Sequence, residues 1–305
     1  MTSDQPARGT CCGLEVHADL AFEYLRPGGG HPVRMRESRA GETLGAIETL
    51  QTWEGIPGVQ ATIRLTRCGP SAFGVDIGSY LWFRYDEAEG ELVLSPTDEP
   101  AYREALLWGT PAAVAMSRRG ELVLHAASVE VDGKGILVSG PGGTGKTTLA
   151  AAFHAAGHRL LADDFTGIRP GDRPAILPGP PLARLRPDSA ERLGADGFYR
   201  TWVHPDRIHC AVEPGRRGTA APVPLELVVL LEQGPGPLAA RSVPAWEALR
   251  DLWAMSFWLP LEGSQPRCFE LLGQLLDPVP AVRVSRPLEW TELPRLVDFV
   301  AGLVG

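Results

Sequence analysis

The chain is almost without lysine: only two of its 29 basic residues are lysines, at 134 and 146, and the rest are arginines. It is also short of positive charge, with a formal net charge of −8. That balance excludes a nucleic-acid partner held mainly through phosphate contacts, since no basic stripe offsets the acids. No apolar run approaches the roughly 20 residues a membrane helix needs, so no membrane partner is expected. The first 16 residues contain no apolar h-region, and no signal peptide is expected. The five cysteines, at 11, 12, 68, 210 and 268, lack the C-x₂-C spacing of a zinc site. Their odd number and scatter fit free thiols, and the expected location is cytoplasmic. Internal repeats and low-complexity tracts are absent too.

What is present is an ordinary globular composition, 44% apolar and 22% charged over 305 residues. That length suits two compact domains or one elaborated domain. Arginine replaces lysine almost throughout, a bias that reads as GC-rich coding. Lys146 stands out against it.

Residues 140–148 read Gly-Pro-Gly-Gly-Thr-Gly-Lys-Thr-Thr, and Gly140, Gly145, Lys146 and Thr147 satisfy G-x-x-x-x-G-K-[ST]. Such a loop wraps a phosphate chain in backbone N–H groups, and the helix behind it points its positive end at the same anion. The expected nucleotide-binding residues are Gly140, Gly142, Gly143, Thr144, Gly145, Lys146, Thr147 and Thr148. Lys146 is expected to reach the β- and γ-phosphates, and Thr147 to offer its hydroxyl to Mg²⁺. The competing reading is a tight βα turn. The flanks favour phosphate: an apolar strand over 135–139 and an alanine-rich helix over 147–156, ending near Gly157. ATP or another nucleoside triphosphate is the expected ligand.

Before residue 120 the pattern is strand-like at Leu14–Leu25, Gln60–Cys68, Ala72–Tyr85 and Gly90–Leu94. Residues 1–13 read as a loose polar tail, and one short helix is expected around Thr43–Leu50. Asp98–Arg119 has helical spacing, broken in two by Pro111. After Gly120, strands alternate with helices: Leu122–Ala126, Ser128–Val131, Arg159–Ala162, Leu225–Leu231 and Val282–Val284 as strands, and Trp246–Phe257, Phe269–Leu276 and Leu293–Val304 as helices. The expected division is a β-rich region over 1–119 and an α/β catalytic domain over 120–305.

Asp163 and Asp164 end the strand that follows the loop helix, the end at which ligands sit in open α/β sheets. One carboxylate there can hold Mg²⁺ and the other can take a proton from an attacking hydroxyl. A helix cap or solvated turn is the plain alternative. His125 ends another strand, and on its residues alone it reads as structural more readily than catalytic. Extra cations for the phosphoryl group are sought at Arg184, Arg186 and Arg207, with Arg186 preferred because it follows a short apolar segment. His204, His209 and Cys210 crowd together without enough ligands for a metal site. Trp246, Trp253 and Trp258 suit core packing or a peptide groove.

The stretch from His125 to Ile168 resembles the catalytic domain of HPr kinase/phosphorylase, a bacterial protein-serine kinase whose P-loop fold is related to phosphoenolpyruvate carboxykinase. Gly157-His158-Arg159-Leu160-Leu161-Ala162-Asp163-Asp164 is similar to that family's G-H-R-L-V-A-D-D, and the intervals from His125 to the loop and on to the acidic pair agree. The resemblance implies Asp163 as general base, His125 as its supporting partner and Asp164 as metal ligand. It covers about 45 residues. No counterpart of the family's second signature segment follows the acidic pair, and the N-terminal strands do not match its regulatory domain. The chain is more similar to stand-alone relatives found beside peptide natural-product genes, some of which phosphorylate a precursor peptide. In those, a Pro-rich segment followed by an arginine resembles residues 177–186, ending at Arg186.

The expected function is an ATP- and Mg²⁺-dependent kinase acting on a hydroxyl of a peptide, a protein or a small metabolite, with residues 1–119 recognising that acceptor or shaping the pocket. The acidic pair favours a kinase over a hydrolase, and neither a GTPase-type switch nor an L-S-G-G-Q signature occurs. The alternative is a nucleotide-binding regulatory or scaffold module with little turnover.

Overall fold

The computed structural model describes residues 7–55, 61–78, 80–194 and 197–305. It is a mixed α/β structure with an eight-stranded, a ten-stranded and a three-stranded sheet among those residues.

The eight-stranded sheet takes all its strands from residues 7–94. Its apolar face, with Val16, Met35, Leu65, Phe83 and Leu92 buried, packs with the helices Pro100–Leu107 and Thr110–Arg118. Pro111 lies in the first turn of the second helix, where its missing N–H costs nothing, and the break comes just before it at Trp108–Gly109. The same apolar cluster takes in Val123, Leu182, Ala211 and Leu259 from the later part of the chain.

The ten-stranded sheet branches at its longest strand, Val223–Gln233. That strand runs parallel to Lys134–Ser139 on one side and to Ala281–Arg286 on the other. It is buried on both faces, hence its nearly continuous apolar sequence. Val229 and Leu231 join the cluster holding the helices Lys146–Ala155 and Leu293–Ala301. Val228 and Leu230 join the opposite cluster, with Ala245–Trp253 and Ser264–Leu276.

Several expectations are corrected. Residues 7–11 are a strand paired with Leu14–Ala18, not a tail, because Gly13 at φ 70° makes the tight turn between them. Residues 1–6 lie outside the described residues, as does Gln60 at the start of another expected strand. No helix forms over 43–50: Gly45 sits at φ 68°, and the following Glu48–Trp53 pairs with Ile63–Arg67. The Leu14–Leu25 stretch is a strand only to Ala18, and Ala72–Tyr85 is a hairpin of two strands. The helix expected to reach Phe257 stops at Trp253, and Ser256–Phe257 pairs with Leu124 and Val123. Trp253 and Trp258 stack at 6.4 Å, whereas Trp246 is exposed. No helix among the described residues is long and apolar enough to cross a membrane.

Candidate active site

The parallel strands Lys134–Ser139, Val223–Gln233 and Ala281–Arg286 end together, and the glycine loop leaves from the first of them. Gly140 has φ 144°, and a side chain there would meet the carbonyl oxygen of Leu231. Gly145 has φ 88°, and a Cβ would lie 2.5 Å from Nη2 of Arg286. Both positions therefore demand glycine. The helix Lys146–Ala155 then starts with no side-chain cap and no acidic residue in its first turn, which leaves its N-terminal N–H groups open to an anion. Lys146 is buried, its Nζ donating to the carbonyls of Gly140 at 2.7 Å and Pro141 at 3.2 Å. Burial lowers its pKa, and the nearby Asp163 and Asp164 work in the opposite direction.

The acidic pair is delivered by strand register. Arg159–Ala162 lies antiparallel to Ala127–Val131, with Ser128 opposite Ala162. Beyond a break, Thr166 lies opposite Leu124. In that break, the residues just before Ser128 meet those just after Ala162. His125 and Asp164 face each other there, with Nδ1 to Oδ1 at 3.2 Å.

The two carboxylates live in different surroundings. Asp163 is 3% exposed. It accepts from Thr147 Oγ1 at 2.7 Å on one oxygen and from the Arg184 backbone N–H at 2.9 Å on the other. Burial raises its pKa against those hydrogen bonds. The side chain of Asp164 is 37% exposed. Its backbone sits at φ 73°, a left-handed conformation uncommon for residues other than glycine and concentrated at functional sites. Desolvation in the cleft works against its charge, but the His125 hydrogen bond, Arg184 and Lys146 outweigh it and hold the carboxyl at about 2.

These groups line one cleft of about 780 Å³, the size expected of a ligand site. Gly142, Gly143, Gly145, Lys146, Thr147, Thr148, His125, Asp163, Asp164 and Arg186 all face it; Gly140 and Thr144 support the loop from behind. Arg186 is exposed at the rim and has no ion pair among the described residues. Arg207 reaches the same cleft, with Nη1 on the carbonyl of Asp206. Arg184 is a strut: its guanidinium donates to the carbonyls of Asp163 at 3.3 Å and Ala105 at 2.9 Å. His209 also lines the cleft, where burial and then Arg184 lower its pKa to about 3 and keep it neutral.

Two features do not match the sequence reading. His125 pairs with Asp164, whereas the resemblance made it the partner of Asp163. Arg286 lies against the loop, donating from Nη2 to the Thr144 carbonyl at 2.7 Å, and was not among the candidate cations. Its position at the end of a strand parallel to the loop strand was the available signal. Among the described residues, no group of three or more His, Cys, Asp or Glu side chains is placed to hold a metal ion by itself.

An open α/β sheet with a glycine loop and an acidic pair at its strand ends defines the class of site. No family profile matches the chain. It is similar to the HPr kinase/phosphorylase of Lactobacillus delbrueckii subsp. bulgaricus, with 33% identity over 91 residues, 30% of this chain and 28% of that protein. The Stenotrophomonas maltophilia HPr kinase/phosphorylase shows 31% identity over 134 residues, 42% of this chain and 39% of that protein. The Treponema pallidum protein of the same name is 49% identical over 47 residues, 15% of each chain. The matched stretches thus span well under two thirds of those relatives. A solved structure titled Hpr(Ser) kinase/phosphatase, from Coxiella burnetii, aligns over 59% of this chain and 94% of that one, with 14% identity and a TM-score of 0.32. Over the matched stretches the chain is similar to HPr kinase/phosphorylases.

Proposed function

We propose that this protein is an ATP- and Mg²⁺-dependent kinase that transfers the γ-phosphate to a hydroxyl of a peptide, a protein or a small metabolite. The observation that carries this reading is the convergence, in one cleft, of Lys146 with two acidic half-sites, Thr147–Asp163 and His125–Asp164. A nucleotide-binding module without turnover has no use for the second half-site.

The division of labour follows from the surroundings of each carboxylate. Thr147 and Asp163 set two hard oxygens 2.7 Å apart beside the loop. That donor set suits Mg²⁺, which takes one or two protein oxygens and completes its shell with phosphates and water. When bound there, Mg²⁺ supplies charge neutralisation along the phosphate chain. Asp164 is reachable from the cleft and oriented by His125, so access and geometry make it the proton acceptor, although its lowered pKa makes it the weaker base of the two before the triphosphate arrives. This exchanges the roles the resemblance gave the two aspartates.

In the proposed reaction the acceptor oxygen bonds to the γ-phosphorus as the bond to the β–γ bridging oxygen breaks, and ADP leaves. The hydroxyl proton passes to Asp164. An arriving triphosphate adds negative charge beside Asp164 and raises its proton affinity for that moment. Lys146, released from the Gly140 and Pro141 carbonyls, meets the phosphate oxygens as their charge shifts.

Residues 1–119 are proposed to recognise the acceptor and 120–305 to form the catalytic region. Supporting this, Trp53, Ile63, Ile77, Leu106 and Pro111 line the same cleft as the acidic pair. The reading is tested by ADP release from ATP in the presence of hydroxyl-bearing peptides and metabolites. A kinase releases ADP in proportion to one acceptor. ADP release that no acceptor changes, or nucleotide binding without any release, would reject it.

A further inference from the structure

Arg286 is a buried cation without a counter-ion, set against the glycine loop. It ends the strand Ala281–Arg286 and is 7% exposed. Nη2 donates to the Thr144 carbonyl at 2.7 Å and Nη1 to the Pro287 carbonyl at 3.2 Å, both neutral acceptors. Its Nε is buried with no partner. Among the described residues no carboxylate pairs with it. Arg283, on the same strand, is the contrast: it pairs with Glu232, Glu247 and Asp251. Burial alone accounts for the direction of the Arg286 shift, which is down, and no neighbouring acid opposes it.

A guanidinium taken out of water without an opposite charge destabilises the folded chain. Such a group persists where something else neutralises it. Arg286 lines the cleft beside Gly145, Lys146 and Thr148, at the open end of the loop helix. Its bond to Thr144 also fixes one peptide unit. In a trans peptide the carbonyl and the following N–H point in opposite directions. With the Thr144 carbonyl held by Arg286, the Gly145 N–H is turned away from the guanidinium and into the loop.

We propose that Arg286 belongs to the phosphate site, as a positioning residue for the 144–145 peptide whose unneutralised charge is met by the phosphate chain of the bound nucleotide. The proposal rests on the nucleotide reading above and adds a residue from the far end of the chain to it. The chemical class recognised is an inorganic or nucleoside polyphosphate, and the neutral nucleoside is indifferent to Arg286.

The test uses the full-length protein with three probes, ATP, inorganic tripolyphosphate and adenosine, in wild type, Arg286→Met and Arg286→Gln. Gln can keep a hydrogen bond to Thr144 while removing the charge. Both variants are expected to lose about 10- to 100-fold in affinity for ATP and for tripolyphosphate alike, the range for a charge-assisted contact, with adenosine unchanged. Without ligand, the melting temperature of Arg286→Met should equal or exceed that of wild type, since a buried unpaired charge has been removed. A merely structural arginine gives the opposite pattern: a lower melting temperature without ligand and equal loss for all three probes. If Arg286→Met does not fold, Arg286→Gln decides by its tripolyphosphate affinity. Wild-type affinity for tripolyphosphate in Arg286→Gln would overturn the proposal and leave the kinase reading standing. Failure of wild type itself to bind ATP or tripolyphosphate would overturn both.

Discussion

Residues before 120 and residues after it line the same cleft with different materials. The first contribute Trp53, Ile63, Ile77, Ala105, Leu106, Gly109, Thr110 and Pro111, none of them ionisable. Among the described residues, the second contribute every charged group that faces the cleft, including Lys146, Asp163, Asp164, Arg184 and Arg286. Charge is needed where phosphate moves, and its strength there depends on water being kept away. On the proposed reading, an apolar wall provides that exclusion and offers a surface to the uncharged part of an acceptor. The two parts are not separable bodies, since Val123, Leu182, Ala211 and Leu259 are buried in the same cluster as the eight-stranded sheet. Cutting the chain at 119 would expose that cluster, so the comparison is best probed by single substitutions.

The largest effect is expected on the charged side. Lys146→Ala should reduce phosphoryl transfer by at least about 10³-fold and weaken ATP binding, read by acceptor-dependent ADP release and by calorimetry. Transfer at the wild-type rate would show that the loop does not hold the phosphates.

A sharper contrast lies between the two aspartates. Asp164→Asn is expected to slow transfer about 10²-fold with ATP affinity kept, the loss of a proton acceptor. Asp163→Asn should instead raise the Mg²⁺ concentration needed for half-maximal rate. Exchanged phenotypes would return the roles to those implied by the family resemblance.

On the apolar side, Ile77→Ala or Trp53→Ala should raise the acceptor KM roughly 10-fold, the scale of one lost hydrophobic contact, and leave the ATP KM unchanged. An equal change in both would mean that the wall does not discriminate between the two substrates.

The smallest effect is on stability. Asp164 is held at about 2 against an ordinary 3.8, so its charge stabilises the fold above pH ~4 and that contribution is lost as pH falls through about 2. With the side chain 37% exposed, solvent screening reduces the gain to about 1 kcal/mol. Asp164→Asn should lower stability by that amount at pH 7, and the difference should shrink between pH 4 and pH 2 in urea titrations.

How much of this was legible in the sequence depended on distance along the chain. Loop, helix and acidic pair lie within one βαβ-like stretch, where glycines, alanines and a short apolar run declare themselves locally. The partner of His125 did not, because it is fixed by the register that sets Ser128 opposite Ala162. Arg286 was lost among many arginines, and only the parallel pairing of its strand brings it to Thr144. The three-stranded sheet of Leu182–Leu185, Phe198–Val203 and Ile208–Val212 went unread beyond a Pro-rich segment, since its strands are short and the connections between them carry Pro187, Gly194 and Pro205. The strand Ala7–Cys11 was hidden because it has only two apolar side chains, Ala7 and Cys11, and buries the polar Thr10, leaving too little contrast to show a period of two.

The central claim is transfer of the γ-phosphate to a hydroxyl across this cleft. It is tested most directly by incubating the protein with γ-labelled ATP and Mg²⁺ against hydroxyl-bearing peptides and metabolites, and following the label. The account predicts label on an acceptor oxygen with wild type, and almost none with Asp164→Asn although that variant still binds ATP. Label found only in inorganic phosphate, or equal transfer by both proteins, would contradict it.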